Sequence, residues 1–185
     1  MSVHKPKFQN IPMEMLDSFI KHHIPYELWM MRDSLAAALR GAPNRFQQNL
    51  HVEGFALHAR NLMEFLKNGE SCGYNPTDFT TNAFSVERKF IRGTLVDMIN
   101  EQISHLTVDR TQKQEEKFDE PQWRETAEAV ENELNRWIKN LKPGSAEKPG
   151  WAEKWEQRER MGEAEAGVIN LEGHVDGPCT APVSS

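Results

Sequence analysis

Apolar residues recur along this chain at spacings of three and four, and prolines and glycines punctuate the runs. That period puts each apolar set on one face of a helix. Pro12 opens IPMEMLDSFIKHH, a short N-terminal helix. Pro25 opens PYELWMMRDSLAAALR, and a proline at the first helical position sacrifices no hydrogen bond. Leu28, Met31, Leu35 and Leu39 give this second segment its face, and Gly41 stops it.

A longer helix is predicted from about Pro43 to Asn68, with Phe55, Ala59, Leu62 and Leu66 as its stripe and Gly69 at its end. GESCGYNPTDFTTN then reads as a loop. Helical periodicity resumes at Phe84, with Ile91, Leu95, Met98, Gln102 and His105 on one stripe. Asp119 and Pro121 start the last long helix, whose stripe runs through Trp123, Ala127, Val130, Leu134, Trp137 and Leu141.

No segment alternates with a period of two, so no sheet is expected. The predicted fold is all-α: a bundle of four main helices plus a short N-terminal helix and a flexible C-terminal tail. Residues 1–142 form the bundle domain and 143–185 an acidic, mostly disordered tail with a short helix at 151–160. PGSAEKPG is the linker, and Trp151 and Trp155 stand at i and i+4 beyond it. That tryptophan pair suits two roles: an anchor that docks in a partner's groove, or a helix folding back on its own bundle.

Charge narrows the function. Twenty-two basic and 28 acidic side chains leave a formal charge of −6, unlike a bulk polyanion binder. Two cysteines, Cys72 and Cys179, form no CxxC pattern and read as free thiols in a reducing compartment. The N-terminus lacks the apolar stretch of a signal peptide, and no apolar run reaches membrane-spanning length. The expected location is the cytoplasm, with no membrane partner.

Candidate chemistry is sparse. None of the seven histidines stands in a helical chelating pair, HExxH is absent, and no metal site is expected. Phosphate-cradling glycine loops are absent too, so no nucleotide or other cofactor is expected. A basic cluster remains: Arg88, Lys89 and Arg92 before His105, Arg110 and Lys113. Arg88 and Arg92, four apart on a helix, would share a face and suit forked contact with phosphate. Basic residues at helix ends are also ordinary solvated surface. His105, on the Ile91–Met98 stripe, reads either as a proton-transfer group or as a packing histidine.

Two stretches carry a resemblance. FALHARNLMEFL (55–66) and INEQISHLTVDR (99–110) resemble an uncharacterised bacterial family of helical proteins with LHARNL and INxxIxHLTxxR segments. The likeness covers about residues 25 to 140. That family in turn looks like the HEPN superfamily of toxin–antitoxin and phage-defence systems. The resemblance implies a homodimer and metal-independent RNA cleavage, with His105 moving protons and an arginine steadying the scissile phosphate. Here Asn100 stands where that arginine belongs. An amide donates a hydrogen bond but no fixed charge, and losing one such stabiliser typically costs about two to three orders of magnitude in rate.

Three functional readings follow. The first is an HEPN-like interaction or RNA-associated protein of a defence or toxin–antitoxin system. The second is a ribonuclease using His105 with Arg110, Arg60 or Asn100. The third is a scaffold docking a partner through Trp151 and Trp155. His58, Arg60 and Asn61 form a candidate polar network, either turned toward His105 or built around Arg60 bridging to Asp97, Glu101 or Asp109.

Overall fold

The computed structural model describes residues 11–67, 73–100, 118–145 and 150–156. These contain α1 (Met13–Ser18), α2 (Ile24–Arg40), α3 (Arg45–Lys67), α4 (Pro76–Phe79), α5 (Gly93–Met98) and α6 (Glu120–Ile138). Residues 151–156 add a further helical stretch. Among the described residues there is no strand, only an isolated antiparallel bridge between Thr80 and Leu141. The fold is an all-α bundle.

The first two predicted helices are fused. A π-helical turn, Phe19–His23, joins α1 to α2 without a break. Pro25 explains the widening. It has no N–H to donate, and its ring would press on the carbonyl four residues back, so the turn opens just before it. Gly41 then ends α2 with φ at +77°, a conformation side chains disfavour.

The α2–α3 hairpin follows. Asn44 Oδ1 accepts the Gln47 N–H at 2.9 Å and caps α3. Gln48 Nε2 donates to the Ala38 carbonyl at 3.0 Å. Midway, a Cβ at Gly54 would lie 2.9 Å from Ser34 Oγ, so glycine lets the two helices approach. The predicted α3 stripe is the core stripe: Phe55, Ala59, Leu62 and Leu66 are fully buried.

Helix α6 also follows its pattern. Asp119 and Gln122 form a capping box around Pro121. Val130, Leu134, Trp137 and Leu141 are buried, with Trp123 and Ala127 half-buried beside them.

The helix expected from Phe84 begins later, at Gly93. Residues 84–92 run as turns, bends and irregular backbone that ends in an extended Arg92, and Glu87 Oε1 takes the Lys89 N–H at 2.9 Å. Such local side-chain bonds compete with helix formation.

The segment beyond the linker folds back. Trp151 and Trp155 are buried, edge-on to Phe79 at 5.3 Å and to Trp137 at 6.1 Å. Trp137 also meets Phe65 and Phe79 edge-on, and its indole N–H donates to the Pro76 carbonyl at 3.0 Å. Perpendicular rings suit the aromatic quadrupole. Backbone bonds close the clasp: Lys142 N to Phe79 O and Trp151 N to Lys142 O, both 2.9 Å. Lys154 pairs with Asp17 of α1. Of the two roles open to this tryptophan pair, the structure shows the fold-back.

Candidate functional site on the α2–α3 hairpin

Glu27, in the first turn of α2, reaches across to α3. Its Oε2 lies 2.8 Å from His58 Nδ1 and accepts from Asn61 Nδ2 at 2.9 Å. His58 and Asn61, three apart, project from the same face of α3. An ionised carboxylate only accepts, so Nδ1–H is the donor in this contact. Tyr26 covers the imidazole edge-on, with ring centroids 5.6 Å apart and an interplanar angle of 84°. The ring itself is buried. A carboxylate-oriented imidazole is the arrangement of a general base, and it equally serves as a polar clamp between two helices.

Arg60 does not join this network. It pairs along its own helix with Glu64 at 2.9 Å; of its expected bridging partners, Glu101 and Asp109 lie outside the described residues. Hence His58 and Asn61 meet at Glu27, while Arg60 points away from them.

The phosphate-binding pair is not assembled on one face either. Arg88 is exposed in a turn, and Arg92 is the residue before α5. Arg92 gives both arms of its guanidinium to Glu125 of α6, whose hydrogen bonds and charge raise its pKa further. Other arginines are engaged likewise: Arg32 with Glu131 at 2.6 Å, Arg124 with Glu120 at 2.7 Å, and Arg136 with Glu133. Arg136 also donates to the Ser85 carbonyl and lies 4.4 Å over the Phe84 ring. Each of these paired guanidinium groups would have to leave a carboxylate before taking a phosphate.

Asn100 is half-buried just after α5, and its Oδ1 is buried with no hydrogen-bond partner among the described residues. His105 and Arg110 lie outside the described residues. No group of three or more His, Cys, Asp or Glu side chains among the described residues is placed to hold a metal ion.

The hairpin's solvent side is apolar instead. On α2, Tyr26 and Trp29 are 49% and 51% exposed, with ring centroids 6.4 Å apart. On α3, Phe46, Leu50 and Leu57 are at least half exposed. These are five of the seven large hydrophobic side chains exposed among the described residues. The sequence held a signal for them. Tyr26 and Trp29 fall off the Leu28–Met31–Leu35 stripe, and Phe46 and Leu50 fall on the side of α3 away from the Phe55–Leu62 stripe. Glu27, an unremarkable acidic residue in a first helical turn, gave none.

No protein-family model, curated protein or solved structure matches this chain. No helix among the described residues is long and apolar enough to cross a membrane.

Proposed function

We propose that this chain is an HEPN-like interaction protein that works by docking a macromolecular partner on the solvent face of the α2–α3 hairpin. One observation carries the reading: five large apolar side chains are gathered, exposed, on one helix pair of an otherwise well-buried bundle. Large apolar side chains exposed together on one face commonly mark interaction sites, and aromatic residues supply much of the energy where partners meet. Membership of a defence or toxin–antitoxin system, and a homodimer, accompany this reading through the resemblance alone.

The test is a double substitution, Trp29→Ala with Leu57→Ser, introduced into the full chain. Both side chains are half exposed, so melting should move little while association with the physiological partner is lost. Retained association together with full stability would reject the reading.

Ribonuclease activity has one supporting observation, the oriented His58 imidazole. Against it stand the arginine–carboxylate pairs described above. Labelled single-stranded RNA incubated with the chain, and with its His58→Ala and His105→Ala variants, separates the readings. Cleavage abolished by either change at unchanged melting temperature would establish the enzyme.

A further inference from the structure

On the solvent face of the hairpin, charge is as ordered as apolar surface. The exposed stripe of α3 runs Phe46, Leu50, Glu53, Leu57, Asn61, Glu64, at steps of four and three. The outward stripe of α2 runs Tyr26, Trp29, Asp33, Ala36, Arg40 by the same rule. The two helices are antiparallel, since Glu27 meets His58 and Asn61 while Ala38 meets Gln48. Ser34 lies against Gly54, which sets Asp33 and Glu53 at the same level, midway along the face. Tyr26, Trp29 and Leu57 lie to one side of that level, and Leu50 and Phe46 to the other.

The cations of this neighbourhood are already neutralised. Arg32 is held by Glu131, and Arg60 by Glu64. Asp33 and Glu53 have no ion-pair partner among the described residues. The apolar face therefore carries uncompensated negative charge at its middle, and Arg40 and Arg45 stand exposed only at the loop end.

We infer that the occupant of this face is an amphipathic helix of a partner protein, one that sets lysine or arginine against Asp33 and Glu53. This deepens the proposed docking function and rests on it. Apolar anchors in a helix at i, i+3 or i+4, and i+7 would lie along the two-helix surface. A basic residue midway would meet the carboxylate pair, and an acidic one near the end would meet Arg40 and Arg45. Two other occupants fit less well. A second copy packed about a two-fold axis near this level would bring Glu53 against its own counterpart, and like charges in contact oppose association. A nucleic acid strand would set phosphates against the same carboxylates.

The probe is a pair of designed amphipathic helical peptides with one apolar stripe, differing only in lysine or glutamate at the two central flanking positions. Binding to the full chain is read by the anisotropy of a fluorophore carried on the peptide and mapped by amide chemical shifts. The lysine peptide should bind on α2 and α3, about fivefold or more tighter than the glutamate peptide, as rim charges typically allow. Glu53→Lys with Asp33→Lys should reverse that order, and Leu57→Glu should weaken both peptides about tenfold or more.

Equal binding of the two peptides, shifts confined to another surface, or no reversal by the charge swap would overturn the inference. So would dimerisation through this face in light scattering, or displacement of the lysine peptide by single-stranded RNA. A physiological partner that docks here through a neutral or acidic segment would sink only the charge assignment. A Trp29→Ala, Leu57→Ser chain that binds its partner normally would sink the docking reading itself.

Discussion

Replacing Trp155 with alanine tests whether the segment beyond the linker is part of the folded domain. Trp155 is 3% exposed and lies edge-on to Trp137 at 6.1 Å. Truncating a core tryptophan to alanine typically costs about 3–5 kcal/mol. One term opposes this. The indole Nε1 is buried with no hydrogen-bond partner among the described residues, and a buried orphan donor typically costs about 1–3 kcal/mol, which the substitution removes. The net loss should be about 2 kcal/mol, or about 4–8 °C in Tm at roughly 2–4 °C per kcal/mol for a chain of this size. Trp155→Phe separates the two terms, because it keeps an aromatic ring over Trp137 and drops the orphan donor. It leaves a smaller void than alanine does, so it should cost less than Trp155→Ala. Urea unfolding followed by far-UV circular dichroism measures all three proteins. An alanine variant within about 0.5 kcal/mol of the wild type, the range of ordinary surface changes, would refute the docked position of this segment.

Three further outcomes follow from the same contacts. Gly150→Ala should open the clasp, because the new Cβ would lie 2.3 Å from Gly144 N and 2.6 Å from the Lys142 carbonyl oxygen; a destabilisation of about 1–3 kcal/mol is expected, and a neutral effect in urea unfolding would contradict the closure. Burial alone would raise the Asp17 pKa, but the hydrogen bond and charge of Lys154, with a smaller contribution from Lys21, together hold it below 3.8. Its folded value is therefore depressed, so the stability it contributes is present above the unfolded value and is lost as pH falls through the folded one. The stability gap between wild type and Asp17→Asn should persist at neutral pH and close in strong acid, and a gap that widens on acidification would reverse the assignment. Glu27→Ala leaves His58 Nδ1 and Asn61 Nδ2 without their shared acceptor and should cost about 1–3 kcal/mol, whereas Glu27→Gln, which still offers an oxygen, should cost less; equal losses would show that the bonds contribute nothing.

Much of the fold was legible because burial is a local, periodic property. The stripe of α6 could be read directly, since Val130, Leu134, Trp137 and Leu141 each meet the core and Asp119 and Pro121 mark the start. Helix boundaries were less legible where long-range contacts decide them. Arg92 stays extended while its guanidinium takes Glu125, thirty-three positions away, and that partner is invisible from the neighbourhood of Phe84. The join at Phe19–His23 failed in the opposite direction. Pro25 is a sound sign of a helix start, yet a wider turn before it lets α1 run into α2.

Sites are harder to read than stripes because they are made by pairs that the chain keeps apart. His58 and Asn61 stood out from the LHARNL segment, but their shared partner Glu27 lies thirty-one and thirty-four positions earlier, in a helix whose apolar pattern says nothing of it. Arg60, between them, was equally conspicuous, and a glutamate one turn away on the same helix satisfies it. The arginines show the general difficulty. A guanidinium that reads as a phosphate ligand in isolation becomes, once a carboxylate from another helix faces it, a cross-brace of the bundle. What survives that subtraction on the α2–α3 face is Asp33 and Glu53 among exposed apolar side chains. Position on the helix wheel, together with pairing, therefore points toward a basic helical partner where residue type alone pointed toward phosphate.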